Sequence, residues 1–169
     1  MLSLGGFFQI GYVTTDLERS VDLYAKRFGA PNWFTFDTGA LNPDRPYASF
    51  VGLAWIGAVQ VELIQPKNVE QPLYADAMPK GGFGINLHHL GYLLDSEAEW
   101  DAATIGLAAL NIPVASRSTV EGVVEVLYAD ARPVLGHYLE YVWPQADGRK
   151  FLLDNVPRNR GDIVQKSNR

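Results

Sequence analysis

The four residues "QIGY" at positions 9–12 return as "HLGY" at positions 89–92. They lie within two similar longer stretches, "FQIGYVTTDLE" and "HHLGYLLDSEA". Gln9 and His89, whose side chains can both bind a metal ion, therefore occupy the same place in two copies of one motif. Such an internal repeat predicts two structurally similar modules. It also raises the question of a metal site between them.

Each motif is followed by a predicted helix. In the first copy, Thr15 and Glu18 have the spacing of a capping box, and Gly29 has the position of a C-terminal cap. In the second copy, Ser96 and Glu99 repeat the capping-box spacing. Apolar residues recur at helical period between these signals in both copies. We therefore expect one capped amphipathic helix after each repeated strand.

Strand-like segments complete both halves. The first half continues with "WFTFDTG", "YASFVGLAWI" and "VQVELIQP", and the second with "PVASRST", "VVEVLYAD" and "HYLEYVWP". The sequence predicts an α+β fold of two paired βαβββ modules, which form a curved mixed sheet around a central cleft. We expect a single domain over 1–169, with modules at about 6–66 and 86–144, a linker at 67–85 and a tail at 145–169. The polar end of the tail, "RNRGDIVQKSNR" at 158–169, is expected to fray or to lie at an interface.

Composition excludes several classes of function. The net charge of −5 leaves no basic face for nucleic acid, and no apolar run is long enough to cross a membrane. The chain has no cysteine, so disulfides and thiolate chemistry are excluded and any metal must bind to nitrogen and oxygen atoms. A small-molecule substrate and a cytoplasmic location are the expectations that remain.

A single glutamate stands among apolar neighbours in the last strand of each half. Glu62 and Glu140 follow Gln9 and His89, respectively, at nearly equal separations. An unpaired buried carboxylate is costly, so two at equivalent positions favour a metal site. A pseudo-twofold axis would bring the four side chains together. Two carboxylates with a neutral amide and imidazole carry a formal charge of −2, which suits one divalent ion.

The doubled arrangement resembles the vicinal oxygen chelate superfamily (glyoxalase, bleomycin resistance protein and dioxygenase), most closely glyoxalase I and methylmalonyl-CoA epimerase. The resemblance covers roughly residues 6–145. In that superfamily the metal ligands come from the first and last strands of each module, which implies Gln9, Glu62, His89 and Glu140 as ligands here. It implies one divalent ion, with Zn, Ni, Co, Mn or Mg as candidates. We also expect a homodimer.

Departures from individual branches restrict the prediction. Glyoxalase I holds glutathione partly through an Arg and an Asn at positions that are Val13 and Pro66 here, which puts glutathione recognition in doubt. The epimerase branch uses an additional carboxylate base upstream of the second ligand, and Asp44 lies in the corresponding region. Dioxygenases of the superfamily use two His and one Glu, whereas Gln9 occupies the first His position.

The resemblance implies a metal-dependent isomerase or lyase that transfers a proton next to a carbonyl group. We predict Glu140 as the base, with Glu62 or Asp44 as its partner on the opposite face. Most aromatic residues are expected in the core, but Phe7, Trp55 and Trp143 are candidates for the walls of an apolar substrate cleft. Two alternatives remain: a metal-free ligand-binding or drug-sequestering protein, and, more weakly supported, an extradiol dioxygenase.

Adjacent residues of a strand point to opposite faces, so His88 is expected to point away from the site that contains His89.

Overall fold

One curved sheet organises the chain. The computed structural model describes residues 4–41, 47–120 and 122–159, and eight strands follow the order β2-β3-β4-β1-β5-β8-β7-β6. The strands are β1 (Gly6–Thr14), β2 (Phe34–Asp37), β3 (Ser49–Ile56), β4 (Val59–Pro66), β5 (Ile85–Leu93), β6 (Val114–Val120), β7 (Val124–Ala129) and β8 (Tyr138–Pro144). A ninth short strand, β9 (Arg158–Asn159), pairs with β3.

The sheet has pseudo-twofold symmetry about its two central strands. β1 and β5 pair antiparallel, and each pairs in parallel with the last strand of its own half, β4 or β8. The remaining strands, β3 and β2 on one side and β7 and β6 on the other, continue outward in the same order. The predicted α+β fold with two βαβββ modules and a curved mixed sheet is confirmed.

Within the described residues, each half has one longer helix between its first two strands, and three shorter helices are also present. They are α1 (Leu17–Phe28), α2 (Thr38–Leu41), α3 (Glu97–Ala109), α4 (Arg132–Leu135) and α5 (Ala146–Arg149). Short 3₁₀ and π-helical segments span Ala75–Ala77 and Lys150–Asn155.

The helix caps follow the sequence with one correction. Ser96 caps α3 by accepting a hydrogen bond from the Glu99 amide, as its spacing predicts, and Gly29 ends α1 in the left-handed region. The N-cap of α1 is Asp16, which accepts from the Arg19 amide, so the cap lies one residue later than Thr15. Thr14 is the reason, because it still belongs to β1 and its hydroxyl accepts a hydrogen bond from the Asp16 amide.

β-Bulges at equivalent places interrupt the central strand pair. Between Phe7 and Gln9, β1 contains one extra residue, Phe8, and between Leu87 and His89, β5 contains one extra residue, His88. A bulge breaks the strict alternation of side chains. His88 therefore does not point away from His89: both are buried, and their ring centroids lie 5.2 Å apart. The expectation of opposite faces for this pair is wrong.

The segment after β8 folds back over the first half. Its residues Leu152, Leu153 and Val156 pack in an apolar cluster with Phe8 and Trp55. We call residues 145–159 the C-terminal segment. Its far end is attached to the sheet because β9 pairs with β3 and the Asn159 side chain hydrogen-bonds the Asn32 backbone. Fraying or an interface was predicted for residues 158–169, but Arg158–Asn159 pair with β3 as β9. Residues 160–169 lie outside the described residues.

Candidate metal centre

Two glycines make room for the site at the middle of the sheet. Gly11 pairs with Glu62 on one side and with His89 on the other, and Gly91 likewise pairs with Gln9 and Glu140. Neighbouring strands lie about 4.8 Å apart, so residues two strands away meet only when nothing stands between them. The two glycines leave this space open, which explains why they recur in the repeated motif.

Oxygen atoms of three of the predicted side chains converge on a nitrogen atom of the fourth, His89. His89 Nε2 lies 3.2 Å from Gln9 Oε1, 3.2 Å from Glu62 Oε2 and 3.2 Å from Glu140 Oε2. Ligand atoms around a small divalent cation with bonds of about 2.1 Å lie roughly 3.0 Å apart in octahedral and roughly 3.4 Å apart in tetrahedral coordination. The observed separations fall between these two values.

A hydrogen-bond relay determines which nitrogen of His89 is available. His88 Nε2 lies 2.8 Å from the Leu73 carbonyl oxygen, which can only accept, so this nitrogen carries a hydrogen. Burial and the adjacent charge of His89 lower the pKa of His88 to about 3, so its Nδ1 is an unprotonated acceptor. His89 Nδ1, 2.9 Å away, must therefore be the donor. In neutral His89 this leaves the lone pair on Nε2, directed at the three oxygens.

A second relay orients the Gln9 amide. Gln60 is fully buried and donates from Nε2 to the Leu152 carbonyl oxygen at 2.9 Å. Its Oε1 accepts from Gln9 Nε2 at 2.7 Å. Because the Leu152 carbonyl accepts, both amide orientations are determined, and Gln9 Oε1 points toward His89. In each repeated motif, the orientation of the ligand side chain is thus fixed by a buried neighbour, His88 or Gln60. Each of these neighbours donates a hydrogen bond to a backbone carbonyl oxygen.

The charges at the centre are strongly coupled. Burial alone would lower the pKa of His89, but Glu140 and Glu62 outweigh it and raise that pKa to about 10. Without a bound cation, the site therefore keeps a proton on Nε2 between the two carboxylates. A divalent ion would supply the positive charge in its place and restore a ligating lone pair on His89. The residues present thus fit a divalent ion, and Glu62, His89 and Glu140 offer ligand atoms within 4.8 Å of one another.

Metal binding should therefore release about one proton per ion near neutral pH. Since the pKa of His89 is about 10 in the metal-free site, we expect the affinity for Ni²⁺ to rise about tenfold per pH unit between about pH 7 and 9. Isothermal titration calorimetry in two buffers of different protonation enthalpy measures the proton directly. An affinity independent of pH over this range would contradict a protonated His89 in the metal-free protein.

A largely apolar cavity of about 390 Å³ opens beside the centre. Gln9, Glu62 and Glu140 form part of its polar lining, together with Thr38, Tyr47, Ser49, Tyr74 and Tyr128. The apolar lining comes from both halves and the C-terminal segment: Phe8, Phe36, Val51, Leu53, Ile64, Val120, Val123, Val124, Val126, Val142, Phe151 and Leu152. The carboxylates therefore meet a space suited to a small, mostly apolar molecule.

Comparison with known proteins identifies the family of the chain. Residues 8–128 match the family described as the Glyoxalase/Bleomycin resistance protein/Dioxygenase superfamily. The chain belongs to this superfamily. The predicted resemblance is thereby confirmed. None of the curated protein sequences matches the chain.

Solved structures share the superfamily fold. A variant of Streptomyces coelicolor methylmalonyl-CoA epimerase, in complex with 2-nitronate-propionyl-CoA, superposes with a TM-score of 0.62 at 17% identity, covering 85% of this chain and 100% of that one. The Mycobacterium tuberculosis methylmalonyl-CoA epimerase gives 0.58 at 15% identity, covering 85% and 93%. A hypothetical protein from Bacillus halodurans gives 0.56 at 16% identity, covering 82% and 94%. At these identities the likeness establishes the fold.

Three predicted substrate contacts lie away from the cavity of this superfamily member. Phe7 is 48% exposed and packs against Tyr92, because the bulge at Phe8 brings the next residue, not Phe7, to the cavity. Trp143 lies three residues after Glu140 in β8, on the opposite face of the strand, and packs on Trp100 of α3. Trp55 shares the cavity side of β3 with Leu53, but the C-terminal segment covers it, with the Arg158 guanidinium over its ring. These three assignments are corrected. Asp44 lies outside the described residues.

Tyr128 is a site residue that the sequence reasoning missed. It is buried on β7 directly across from Glu140 and, like Glu140, lines the cavity. Burial, followed by the charges of Glu140 and Glu62, raises the pKa of Tyr128 well above its usual value, so the hydroxyl stays protonated. The antiparallel pairing of "VVEVLYAD" with "HYLEYVWP" could have indicated this contact, because cross-strand neighbours share a face.

No helix within the described residues is both long enough and apolar enough to cross a membrane.

Proposed function

We propose that this chain is a metal-dependent enzyme of the glyoxalase and epimerase kind, which transfers a proton next to a carbonyl group of a small, largely apolar substrate. The observation that supports this most is the convergence of three oxygens on His89 Nε2, each at 3.2 Å, beside an apolar cavity. Gln9, Glu62, His89 and Glu140 would hold the ion. Its native identity, among Zn, Ni, Co, Mn and Mg, is a matter for metal analysis.

A divalent ion bound there supplies a Lewis acid that stabilises negative charge developing on a substrate carbonyl oxygen. Glu140 is the proposed base, because its carboxylate lines the cavity directly across from Tyr128. Glu62 supplies a second carboxylate from the other half. Two bases on opposite faces of the substrate would give epimerisation, and one base that returns the proton would give a glyoxalase-type rearrangement.

The lining favours an apolar substrate over glutathione conjugates. Val13, at one of the positions where glyoxalase I anchors glutathione, is buried in an apolar cluster with Ile64 and Tyr138. Pro66, at the other position, is also buried. The 390 Å³ cavity has room for a small organic molecule and lies within the usual range for such sites. A homodimer and a cytoplasmic location stay predictions.

Solvent-deuterium exchange at the substrate α-carbon tests the proposal. Protein loaded with each of the five candidate metals should catalyse exchange into at least one member of a panel of acyl thioesters and 2-oxo or 2-hydroxy carbonyl compounds. Metal-stripped protein is the control. If loaded protein exchanges nothing yet binds an apolar ligand tightly, the ligand-binding alternative replaces this proposal. Oxygen consumption with a catechol would instead support the dioxygenase alternative.

A further inference from the structure

The C-terminal segment is both a wall of the cavity and a partner of the metal centre. Gly148, Phe151 and Leu152 line the cavity, and Val156 is buried in the apolar cluster beneath them. Gly148 lies so close to the residue before β7 that a Cβ there would come within 2.0 Å of the Val123 carbonyl oxygen. The segment thus supplies part of the cavity wall.

A single buried side chain connects this segment to a ligand. Gln60 donates to the Leu152 carbonyl and accepts from Gln9 Nε2, which leaves Gln9 Oε1 3.2 Å from His89 Nε2. Leu152 belongs to a π-helical stretch, in which its carbonyl would bond to the amide five residues later. That residue is Pro157, which has no amide hydrogen. The local sequence therefore leaves this carbonyl to Gln60.

Through these hydrogen bonds, the position of the C-terminal segment determines which atom of the Gln9 amide faces the metal centre. When the segment is closed, the Leu152 carbonyl oxygen accepts a hydrogen bond from Gln60 Nε2. Gln60 Oε1 then faces Gln9 and accepts a hydrogen bond from Gln9 Nε2. When the segment lifts, this requirement is removed, and either amide can rotate. A rotated Gln9 would present an NH₂ group, which does not ligate a cation.

We propose that Gln60 is a positioning residue that couples closure of the C-terminal segment to metal binding through the orientation of the Gln9 amide. The inference rests on the metal site of the proposed function. Coupling of this kind is reciprocal. A closed segment strengthens cation binding, and a bound cation stabilises the closed segment over the cavity.

Hydrogen–deuterium exchange of the full chain, with and without Ni²⁺, tests the coupling. In the wild type, saturating Ni²⁺ should slow amide exchange of residues 146–156 about tenfold or more. Gln60→Glu still accepts from Gln9 but has no hydrogen for Leu152, and Gln60→Met loses both contacts. Both variants should lose the metal-dependent protection. Nickel affinity should fall by about 10–100-fold in Gln60→Met and by less in Gln60→Glu.

Gln65→Glu is the matched control on the same strand. Gln65 accepts a hydrogen bond from the Leu17 amide through its Oε1, a contact that a carboxylate retains. This variant should keep both the affinity and the metal-dependent protection. Wild-type protein that binds Ni²⁺ without protecting the segment would overturn the coupling and leave the proposed function standing. Protection without α-carbon exchange would uphold the coupling and count against the proposed function, and a failure to bind any cation would overturn both.

Discussion

Gly11→Ala should reduce divalent-metal affinity by at least about a hundredfold, although residue 11 offers no ligand atom. A Cβ at this position would lie 1.8 Å from His89 Cε1 and 2.1 Å from His89 Nε2, so the imidazole has to move. It would also stand between Glu62 and His89, which approach each other over this glycine. Calorimetric titration with Ni²⁺ measures the loss, and circular dichroism verifies the fold.

Alanine substitutions at two further glycines provide a control and an intermediate case. Gly6→Ala, in the same strand, is the control, since its Cβ would meet its nearest neighbour, the Leu93 carbonyl oxygen, at 3.8 Å. Gly91→Ala should have an intermediate effect, because its Cβ would approach Gln9 Cβ at 2.8 Å and displace a neutral ligand. A folded Gly11→Ala protein with wild-type affinity would show that His89 does not bind the ion.

Glu140→Gln should retain bound metal yet lower the rate of α-carbon exchange by about 10²–10⁴-fold. The amide oxygen still offers a ligand atom, but glutamine cannot take up a proton near neutral pH. Metal content by elemental analysis and deuterium incorporation by mass spectrometry separate the two effects. Glutamine has nearly the same shape as glutamate, so the local packing should persist.

Other glutamates distinguish the mechanisms. Glu125→Gln is the control, because Glu125 pairs with Arg117 and lies across from Trp143, away from the cavity. Glu62→Gln reports the number of bases: a loss as large as that of Glu140→Gln indicates two bases and epimerisation, whereas a small loss indicates one base. Undiminished exchange in Glu140→Gln would show that another group removes the proton.

The repeated motif was enough to predict the fold and to choose four side chains that the structure brings together. Its strength lies in symmetry, because Gln9 alone is an ordinary strand residue, while Gln9 and His89 at equivalent places restrict each other's position. The glutamates of β4 and β8 added a second equivalent pair. Capping signals identified Ser96 as the N-cap of α3 and missed the N-cap of α1 by one residue.

Strict alternation failed where the strands are irregular or covered. No local signal marks Phe8 or His88 as an extra residue, since a bulge arises from pairing with the neighbouring strand. Alternation therefore assigned His88 to the wrong face and could not bring Phe8 into the cavity. Trp55 was misassigned for a different reason: its cover comes from the C-terminal segment, whose packing depends on contacts distant in sequence.

Gly11 and Gly91 limit the substitutions that the chain can accept. Gly11 makes room for a side chain encoded in the second half, and Gly91 makes room for one encoded in the first. Neither half contains all the side chains of the site, so a substitution at either glycine acts on a side chain that the other half supplies. The two halves can therefore differ almost everywhere else, as they do, yet an alanine at either glycine would displace a side chain of the other half. The chain therefore repeats itself where the two copies meet.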